Sequence, residues 1–295
     1  MANLKEVRTR ISSVSSTQQI TSAMKMVSAA KFRRAQNAIT GMRPYAAQLS
    51  EIVSDIDTGG EVLTPYHSVR PLRNVLLVVI TSNKGLCGAF NSNVIKQAQQ
   101  RIDHHLQTLP SDGTLQVMSI GKKSSEALAR RKDIHLISND ELLDNPSFDN
   151  VAALADSIMK QFEEKQLDYV EIVYNRFKNS LTQILSTEQW LPVAPKASNA
   201  PNDLKTPKTN DYIYEPSKED IVRSMVPLTL RSNLYRMILD SLASEHGARM
   251  NAMQNATDNA DELLRELRLS YNKARQASIT NEIIEIVSGS EALKG

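Results

Sequence analysis

The chain has 295 residues, 41% hydrophobic and 23% charged, so most of it can bury a core and it is not a disordered tail. Its 35 Lys and Arg residues against 33 Asp and Glu residues leave a net charge of +2, too balanced for an overall electrostatic attraction to nucleic acid. A single cysteine, Cys87, excludes an intramolecular disulfide and a cysteine-rich metal site. No apolar run approaches the ~18 residues needed to span a membrane.

The residues that break helices are concentrated in the middle of the chain. There are 10 glycines and 11 prolines, yet residues 1–40 contain neither and residues 228–288 contain only Gly247. Because both residue types destabilise helix interiors, the two ends are predicted to be long helices. The second of them is expected to begin at Ser217, in a capping-box sequence, and to end near Gly289.

Each predicted helix carries a narrow apolar stripe with coiled-coil spacing. In the first helix the stripe comprises Leu4, Val7, Ile11, Val14, Ile20, Met24, Val27, Ile39, Met42, Ala46, Leu49 and Val53. In the second it comprises Met253, Ala256, Ala260, Leu264, Leu267, Tyr271, Ala274, Ile279, Ile283 and Ile286. Helices this long need a packing partner, so the two ends are predicted to pair with each other.

The segment between these helices alternates strands with helices, which predicts a Rossmann-like α/β layered domain with a largely parallel sheet. Strands are predicted over residues 75–81, 115–121, 169–177 and 182–193, and helices over residues 91–106, 122–131 and 151–165. A proline-rich loop follows at residues 194–216. The predicted domains are a coiled-coil helix over residues 1–57, the α/β domain over residues 58–216 and a coiled-coil helix over residues 217–295.

The turn at residues 82–88 follows a strand and precedes a helix, where α/β folds bind phosphates. It matches neither G-x-x-x-x-G-K-[ST] nor G-x-G-x-x-G, so a structural turn is favoured over a nucleotide site. Cys87 fits a buried thiol better than a nucleophile. The five histidines show no metal-binding spacing, so no metal site is expected. No local motif supports a catalytic triad, although a triad scattered along the sequence stays open at this point, and no cofactor is expected.

Two polar features of the predicted helices admit several interpretations. Residues 1–45 carry eight basic residues against one acid, Glu6, which fits a solvated face, a nucleic-acid arm or contact with acidic loops of a partner. In the second helix, polar residues in pairs seven and four apart fit either plain solvent exposure or a docking surface. These are Arg275 with Glu282 and Gln276 with Thr280.

Several segments together resemble the gamma subunits of F-type ATP synthases. The segment I-S-S-V-S-S-T-Q-Q-I-T-S-A-M-K-M-V-S-A-A-K at residues 11–31 is similar to their first helix, and G-L-C-G at residues 85–88 to their central loop. The segment S-E-H-G-A-R-M-N-A-M at residues 244–253 is similar to their last helix. The segment Y-N-K-A-R-Q-A-S-I-T-N-E at residues 271–282 is similar to their C-terminal signature. The resemblance covers the whole chain in order.

The resemblance implies a rotor shaft that is itself non-catalytic. Its terminal helices would form an antiparallel coiled coil inside a ring of three alpha and three beta subunits. The α/β domain would bind the epsilon subunit and the membrane c-ring. Proton flow would turn the c-ring and this chain with it, so that each beta subunit meets a changing face of the shaft and its nucleotide site opens or closes.

The resemblance also implies roles for particular residues. Candidates for contact with the beta subunits are Arg249, Arg275, Gln276, Thr280 and Glu282. The position that couples the two helices matches Met24 and Lys25. Candidates for contact with the c-ring or epsilon subunit are Tyr212, Tyr214 and Glu215.

The resemblance favours a bacterial protein, because the dithiol segment of chloroplast relatives and a transit peptide are both absent. We therefore expect a peripheral location on the cytoplasmic face of the plasma membrane, within the synthase. Two alternatives remain open from the residues alone. One is a nucleic-acid-binding coiled-coil protein with a basic arm, and the other is an α/β enzyme that uses the turn at residues 82–88.

Overall fold

The computed structural model describes residues 4–56, 64–193, 215 and 217–292, without the side chains of residues 54–56, 291 and 292. Two compact units are present, one comprising Met1–Ala29 with Arg249–Gly295 and the other Ala30–Ala248. The helices are α1 (Leu4–Ile56), α2 (Phe90–Thr108), α3 (Lys122–Leu128), α4 (Phe148–Glu163) and α5 (Lys218–Ala292). The strands are β1 (Asn74–Ile80), β2 (Thr114–Ile120), β3 (His135–Ser138), β4 (Tyr169–Phe177) and β5 (Gln183–Leu191).

The second unit is built on a five-stranded sheet in the order β3-β2-β1-β4-β5. Strand β1 pairs in parallel with β2 and β4, and β2 with β3, while β5 runs antiparallel to β4. Helices connect the parallel strands, since parallel neighbours need a crossover. The predicted α/β domain with a largely parallel sheet is therefore confirmed.

Both faces of the sheet are covered, as the alternation along the central strand β1 requires. Val75, Leu77 and Val79 pack on one face against apolar residues of α2 and α3. The side chains of Leu76, Val78 and Ile80 point the other way, into a larger core with residues of α4 and α5. A strand buried on both faces has a continuous apolar sequence, which is why β1 was predictable.

The terminal helices are part of this same core. Val53 of α1 and Val226, Leu230 and Leu234 of α5 lie in the larger cluster with the sheet. A smaller cluster joins Ile39 of α1 to Phe177 at the end of β4 and to Leu239 and Ala243 of α5. Within the second unit, the two long helices are thus held by the α/β domain itself.

A missed strand and the shifted bounds of two helices are the main differences from the sequence prediction. The edge strand β3 was missed, because its sequence H-L-I-S is short and its residues are only half-buried or exposed. Helix α4 begins before the predicted residue 151, because the Ser147 side chain caps it by accepting a hydrogen bond from the Asn150 amide at 3.2 Å. At the C-terminus, α5 continues through Gly289 to Ala292, so the predicted end of that helix was wrong.

The start of α5 agrees with its predicted capping sequence. The Ser217 hydroxyl accepts a hydrogen bond from the Asp220 amide at 3.1 Å and donates one to the Asp220 carboxylate at 2.7 Å. This bonding satisfies an amide that the first helical turn leaves without a partner.

A cluster of hydroxyl groups joins the carboxyl ends of β1 and β2. The hydroxyls of Thr81 and Ser119 lie 2.7 and 2.6 Å from that of Ser124, the buried residue near the start of α3. The chain turns between β2 and α3 at Gly121, whose φ of 117° is unusual for residues with a side chain. The backbone of Gly121 lies against Thr81, which leaves no room for a methyl group.

In the first unit, α1 and α5 form the predicted pair, and their contacts give its register. The Gln18 amide donates a hydrogen bond to the Asp261 carboxylate at 3.1 Å, and the Thr21 and Thr257 hydroxyls lie 2.9 Å apart. As residue numbers rise along α1, the residue numbers of their partners in α5 fall, so the two helices are antiparallel. Extending this register places Leu4 opposite residues 274 and 275.

The buried line of residues along each long helix is here called its seam. The seam of α1 follows an uninterrupted heptad pattern, whereas the predicted stripe left this pattern at Ile20 and Val27. Thr21 and Ser28 are 9% and 3% exposed, whereas Ile20 and Val27, which were predicted on the stripe, are 60% and 59% exposed. A rigid helix keeps its register, so the seam passes through polar residues rather than shifting by one to include the apolar ones.

The stripe of α5 was also predicted to run too far. Met253, Ala260 and Leu264 are buried, but Ile279, Ile283 and Ile286 are 48%, 55% and 71% exposed. The register explains this result, because these three isoleucines lie beyond the residues that face Leu4.

Among the residues that the structure describes, no helix has the length and apolar character needed to cross a membrane.

The contact at Gly121 yields a stability prediction. In Gly121→Ala the new Cβ would lie 2.5 Å from the Thr81 carbonyl oxygen, on backbone with positive φ. We expect the free energy of unfolding to fall by about 2 kcal/mol or more, measured by chemical denaturation. Gly85→Ala is the control, because its Cβ would meet nothing within 4 Å. Equal losses in both variants would contradict the role given to Gly121.

The register of the helix pair yields a second prediction. Leu264→Asp places a charge at a seam position that is 6% exposed, and we expect it to destabilise the pair by roughly 3 kcal/mol. Ile283→Asp is the matched control, since Ile283 is 55% exposed and should leave the melting of the isolated chain unchanged. Circular dichroism at 222 nm measures both. A large loss in Ile283→Asp would show that the register is wrong.

Candidate functional site

The last turns of α5 form the most exposed regular segment of the described chain. Every residue from 275 to 290, here called the exposed end, is solvent-exposed, while Tyr271 and Ala274 just before it are half-buried. The change falls where the register brings α5 past Leu4, the first described residue of α1. The exposed end therefore has no packing partner in the described part of the chain.

The structure brings four of the predicted site residues together on this segment. Arg275, Gln276, Thr280 and Glu282 are all exposed and lie on consecutive turns. The Thr280 hydroxyl donates a hydrogen bond to the Gln276 carbonyl at 2.9 Å, which leaves its oxygen able to accept another. Arg275 and Glu282 form no ion pair with any described residue, so their charges face solvent.

The same segment carries apolar residues that sequence reasoning assigned to the helix pair or left unassigned. Their exposures are Ile279 48%, Ile283 55%, Ile284 56%, Ile286 71% and Val287 51%. Scattered surface isoleucines need no explanation, but five within nine residues form a contiguous apolar surface. A comparison of helix lengths would have given the signal, because the second predicted helix is longer than the first.

The remaining helix residues of the prediction lie elsewhere in the first unit. Arg249 is only 7% exposed, so it does not share the solvent-facing surface of the other four. Lys25 occupies a seam position and is half-buried, and Met24 beside it is half-buried too. Exposed apolar side chains flank them, with Met26 at 64% and Val27 at 59%.

Most of the residues predicted to face the c-ring or epsilon subunit are not among those that the structure describes. Tyr212 and Tyr214 lie outside the described residues, and Glu215 is exposed.

The turn at residues 82–88 is closed by its own hydrogen bonds. The Ser82 amide donates to the Asn91 side-chain oxygen at 3.0 Å, and the Asn91 amide group donates to the Cys87 sulfur at 3.2 Å. Cys87 is 2% exposed, as expected for a buried thiol. Because the Asn91 side chain occupies the amide at the end of β1, the geometry favours a structural turn.

A metal centre finds no support within the described residues, where no group of His, Cys, Asp or Glu side chains has the arrangement needed to hold an ion.

A buried polar cluster joins α2 to β4, away from these segments. The Glu171 carboxylate accepts hydrogen bonds from Arg101 at 2.8 and 2.9 Å and lies 3.1 Å from His105. Burial alone would raise the pKa of Glu171, but the bonds from His105 and Arg101 outweigh it and hold that pKa below its usual value. A fully bonded carboxylate of this kind ties α2 to β4 and is not poised for proton transfer.

Comparisons with known proteins agree with the architecture. A family model described as ATP synthase matches residues 3–293. The ATP synthase gamma chain of Flavobacterium johnsoniae is 52% identical over 297 residues, covering 100% of both chains. That of Chlorobium phaeobacteroides is 44% identical over 297 residues, again covering 100% of both. The nucleic-acid alternative receives no support from these relatives.

Solved structures agree as well. A chain in the structure of the central stalk and c-ring of Tetrahymena thermophila mitochondrial ATP synthase is 26% identical, with a TM-score of 0.56 over 80% of this chain and 99% of its own. A chain of the Euglena gracilis mitochondrial ATP synthase has the same fold, with a TM-score of 0.63, 20% identity and coverage of 98% and 94%.

The predicted family is thus confirmed over the full length of the sequence, and the chain belongs to the ATP synthase gamma chain family.

Proposed function

We propose that this chain is the central shaft of a rotary F-type ATP synthase and has no catalytic group of its own. The observation that carries the proposal is the exposed end of α5, which combines five exposed aliphatic side chains with solvent-facing polar ones, beyond the residues that face the described part of α1. A contiguous exposed apolar surface of this kind marks a site that other chains cover. A ring of three alpha and three beta subunits, as implied by family membership, supplies that surrounding.

The shaft acts by differential contact. Each beta subunit has open and closed forms, and the form that makes better contacts with the facing side of the shaft is favoured. Rotation changes which side each subunit meets, so the three sites pass through their states in turn. The helix pair of residues 1–57 and 217–295 would be the rotating shaft, and the domain of residues 58–216 its base.

Within this scheme the polar residues of the exposed end are contacts to the beta subunits. Arg275 is the strongest of them, because an unpaired guanidinium attracts the acidic loops implied by the family resemblance. Gln276 and Thr280 add neutral donors and acceptors that bind without strong desolvation. Glu282 would serve another neighbour than an acidic loop, since like charges repel. The side chain of Arg249 is buried, so it would contact a beta subunit only after becoming exposed.

Met24 and Lys25 support coupling between the two helices where the beta subunits pass. Lys25 occupies a seam position that an apolar residue would normally fill, so the pairing is weaker there and responds to outside contacts. The exposed Met26 and Val27 beside them offer an apolar surface to the same neighbours. The basic residues of α1 would meet acidic loops of the partner ring.

The base would bind the epsilon subunit and the c-ring through Tyr212, Tyr214 and Glu215. The proposed complex would contain one such chain for three alpha–beta pairs. The protein would lie at the cytoplasmic face of a bacterial plasma membrane, attached through the complex.

Assembly tests the proposal directly. We expect the full chain, co-expressed with the alpha and beta subunits of the same organism, to co-purify as one copy per three alpha–beta pairs by native mass spectrometry. A chain ending at Ala274 lacks the exposed end and should lose ATP-driven proton pumping in reconstituted complexes. A full chain that stays alone would overturn the proposal.

Substitution of the polar contacts tests their role. For Arg275→Ala with Gln276→Ala, we expect ATP-driven proton pumping to fall roughly two- to tenfold, which corresponds to about 0.4–1.4 kcal/mol of lost contact energy. The melting curve of the isolated chain should not change, because both residues are exposed. Arg130→Ala with Gln100→Ala removes an exposed arginine and glutamine from the α/β domain and serves as the control. Unchanged pumping in the first variant would refute the assignment.

A further inference from the structure

The second unit contains a cavity whose charged lining has no role in the proposed shaft function. Its volume is about 680 Å³, and residues of α1, β4, β5 and α5 line it together. This size lies within the range of small-molecule sites. All of its walls belong to the unit formed by residues 30–248, so the cavity does not depend on the helix pair beyond.

The walls of the cavity are strongly basic. One carboxylate, that of Asp240, faces four cationic side chains that come from three different elements and the segment just after β4. The cations are Arg43, Arg176, Lys178 and Arg236. Positive charges that converge on a concave, low-dielectric wall reinforce one another's potential, unlike charges spread over a convex helix face.

Asp240 fixes two of these cations in place. Its carboxylate is 1% exposed and accepts hydrogen bonds from Arg43 at 2.8 Å and from Arg236 at 3.4 Å. Arg43 also donates to the Phe177 carbonyl at 2.6 Å and lies over the Phe177 ring, 5.9 Å from its centre. Both guanidinium groups are therefore oriented before any ligand arrives, which lowers the entropy cost of binding.

The other two cations have no ion-pair partner among the residues that the structure describes. Arg176 and Lys178 lie two positions apart along the strand direction, and both are exposed. Neither forms an ion pair with a described residue, although both line the cavity. Two free cations beside two oriented guanidinium groups form a surplus of positive charge that an anion would neutralise.

A smaller cavity of about 220 Å³ shares Asn233 and Arg236 with the first. Its lining is mixed: it includes the apolar side chains of Val226, Met237 and Trp190, the last of which is 3% exposed, and the carboxylate of Glu188, which lies 3.3 Å from Arg236. A ligand with a charged part and a flat apolar part would therefore fit across the two cavities, with the charged part among the four cations.

We propose that the basic cavity binds a phosphate-bearing anion of the size of a nucleoside di- or triphosphate. Guanidinium groups bind phosphate oxygens in pairs of parallel hydrogen bonds, and lysine binds them as a point charge. The phosphates contact Arg176, Lys178 and the outward edge of Arg43, and the base lies toward Trp190. The ligand bridges α1, β4 and α5, so its binding stabilises the second unit.

Trp190 makes the proposal measurable in the full purified chain, which contains no other tryptophan. We expect saturable changes in its fluorescence on titration with ATP or inorganic tripolyphosphate, and none with adenosine. Tighter binding of ATP than of tripolyphosphate identifies a nucleotide site, and equal binding identifies a plain polyphosphate site. Calorimetry gives the same constants without relying on Trp190. Affinity should fall as salt rises, because two of the cations are exposed.

The double variant Arg176→Gln with Lys178→Gln should bind at least about tenfold more weakly, because it removes the two unpaired cations. Arg130→Gln with Lys132→Gln removes two exposed charges that do not line the cavity and should bind as the unaltered chain does. Melting curves verify that each variant is folded.

Equal binding by the two variants would show non-specific attraction and overturn the proposal. So would the absence of saturable binding. A third result would also overturn it: small anions fail to bind, and Arg176→Gln with Lys178→Gln blocks assembly with the partner subunits. The cavity would then bind an acidic segment of a partner protein.

Discussion

The burial of one continuous seam along α1 and α5 is the constraint on which the rest of the structure depends. Helices of 53 and 75 residues gain most of their stability from packing, since propensity alone is marginal in water. In the second unit the seam is buried against the sheet, where Val53 and Leu234 share a core with β1. In the first unit each helix buries the other. In α1 the same heptad register serves both settings, so this single helix contributes to the core with the sheet at one end and to the helix pair at the other.

The composition of the seam changes along its length in a way that matches these two settings. Near the sheet it is filled by residues such as Ile39 and Leu49, which contribute large apolar areas. In the helix pair it passes through Thr21 and Ser28, whose burial contributes little apolar area and whose hydroxyl groups need hydrogen-bond partners. The pair is therefore specified in register but only weakly stabilised by its own burial. In the proposed complex, contacts with surrounding subunits would supply the stability that the seam lacks.

The fold was predictable where one physical rule dominated. Strand β1 is apolar on both faces, and residues 1–40 and 228–288 contain a single Gly and no Pro, so the strand and most of each long helix were evident from residue types alone. Prediction failed where hydrophobicity and geometry disagreed. Ile20 was preferred over Thr21 because it is apolar, yet helix register placed Thr21 on the seam. Of the candidate site, the polar residues of the exposed end were singled out by their spacing, which fitted either plain exposure or a docking surface, and only the resemblance gave them a role.

The apolar residues of the exposed end show why sequence periodicity could not identify the site. Periodic isoleucines such as Ile279 and Ile283 report that a helix face is buried in its functional state, without reporting which chain buries it. Only the register with α1 separates the two cases, because it places Leu4, the first described residue of α1, opposite residues 274 and 275 of α5. Beyond that point the same periodic pattern changes meaning, from a contact within the chain to a surface for other chains. The proposed shaft function uses this change: α5 packs against the sheet near its start, pairs with α1 farther along, and is exposed to solvent at its end.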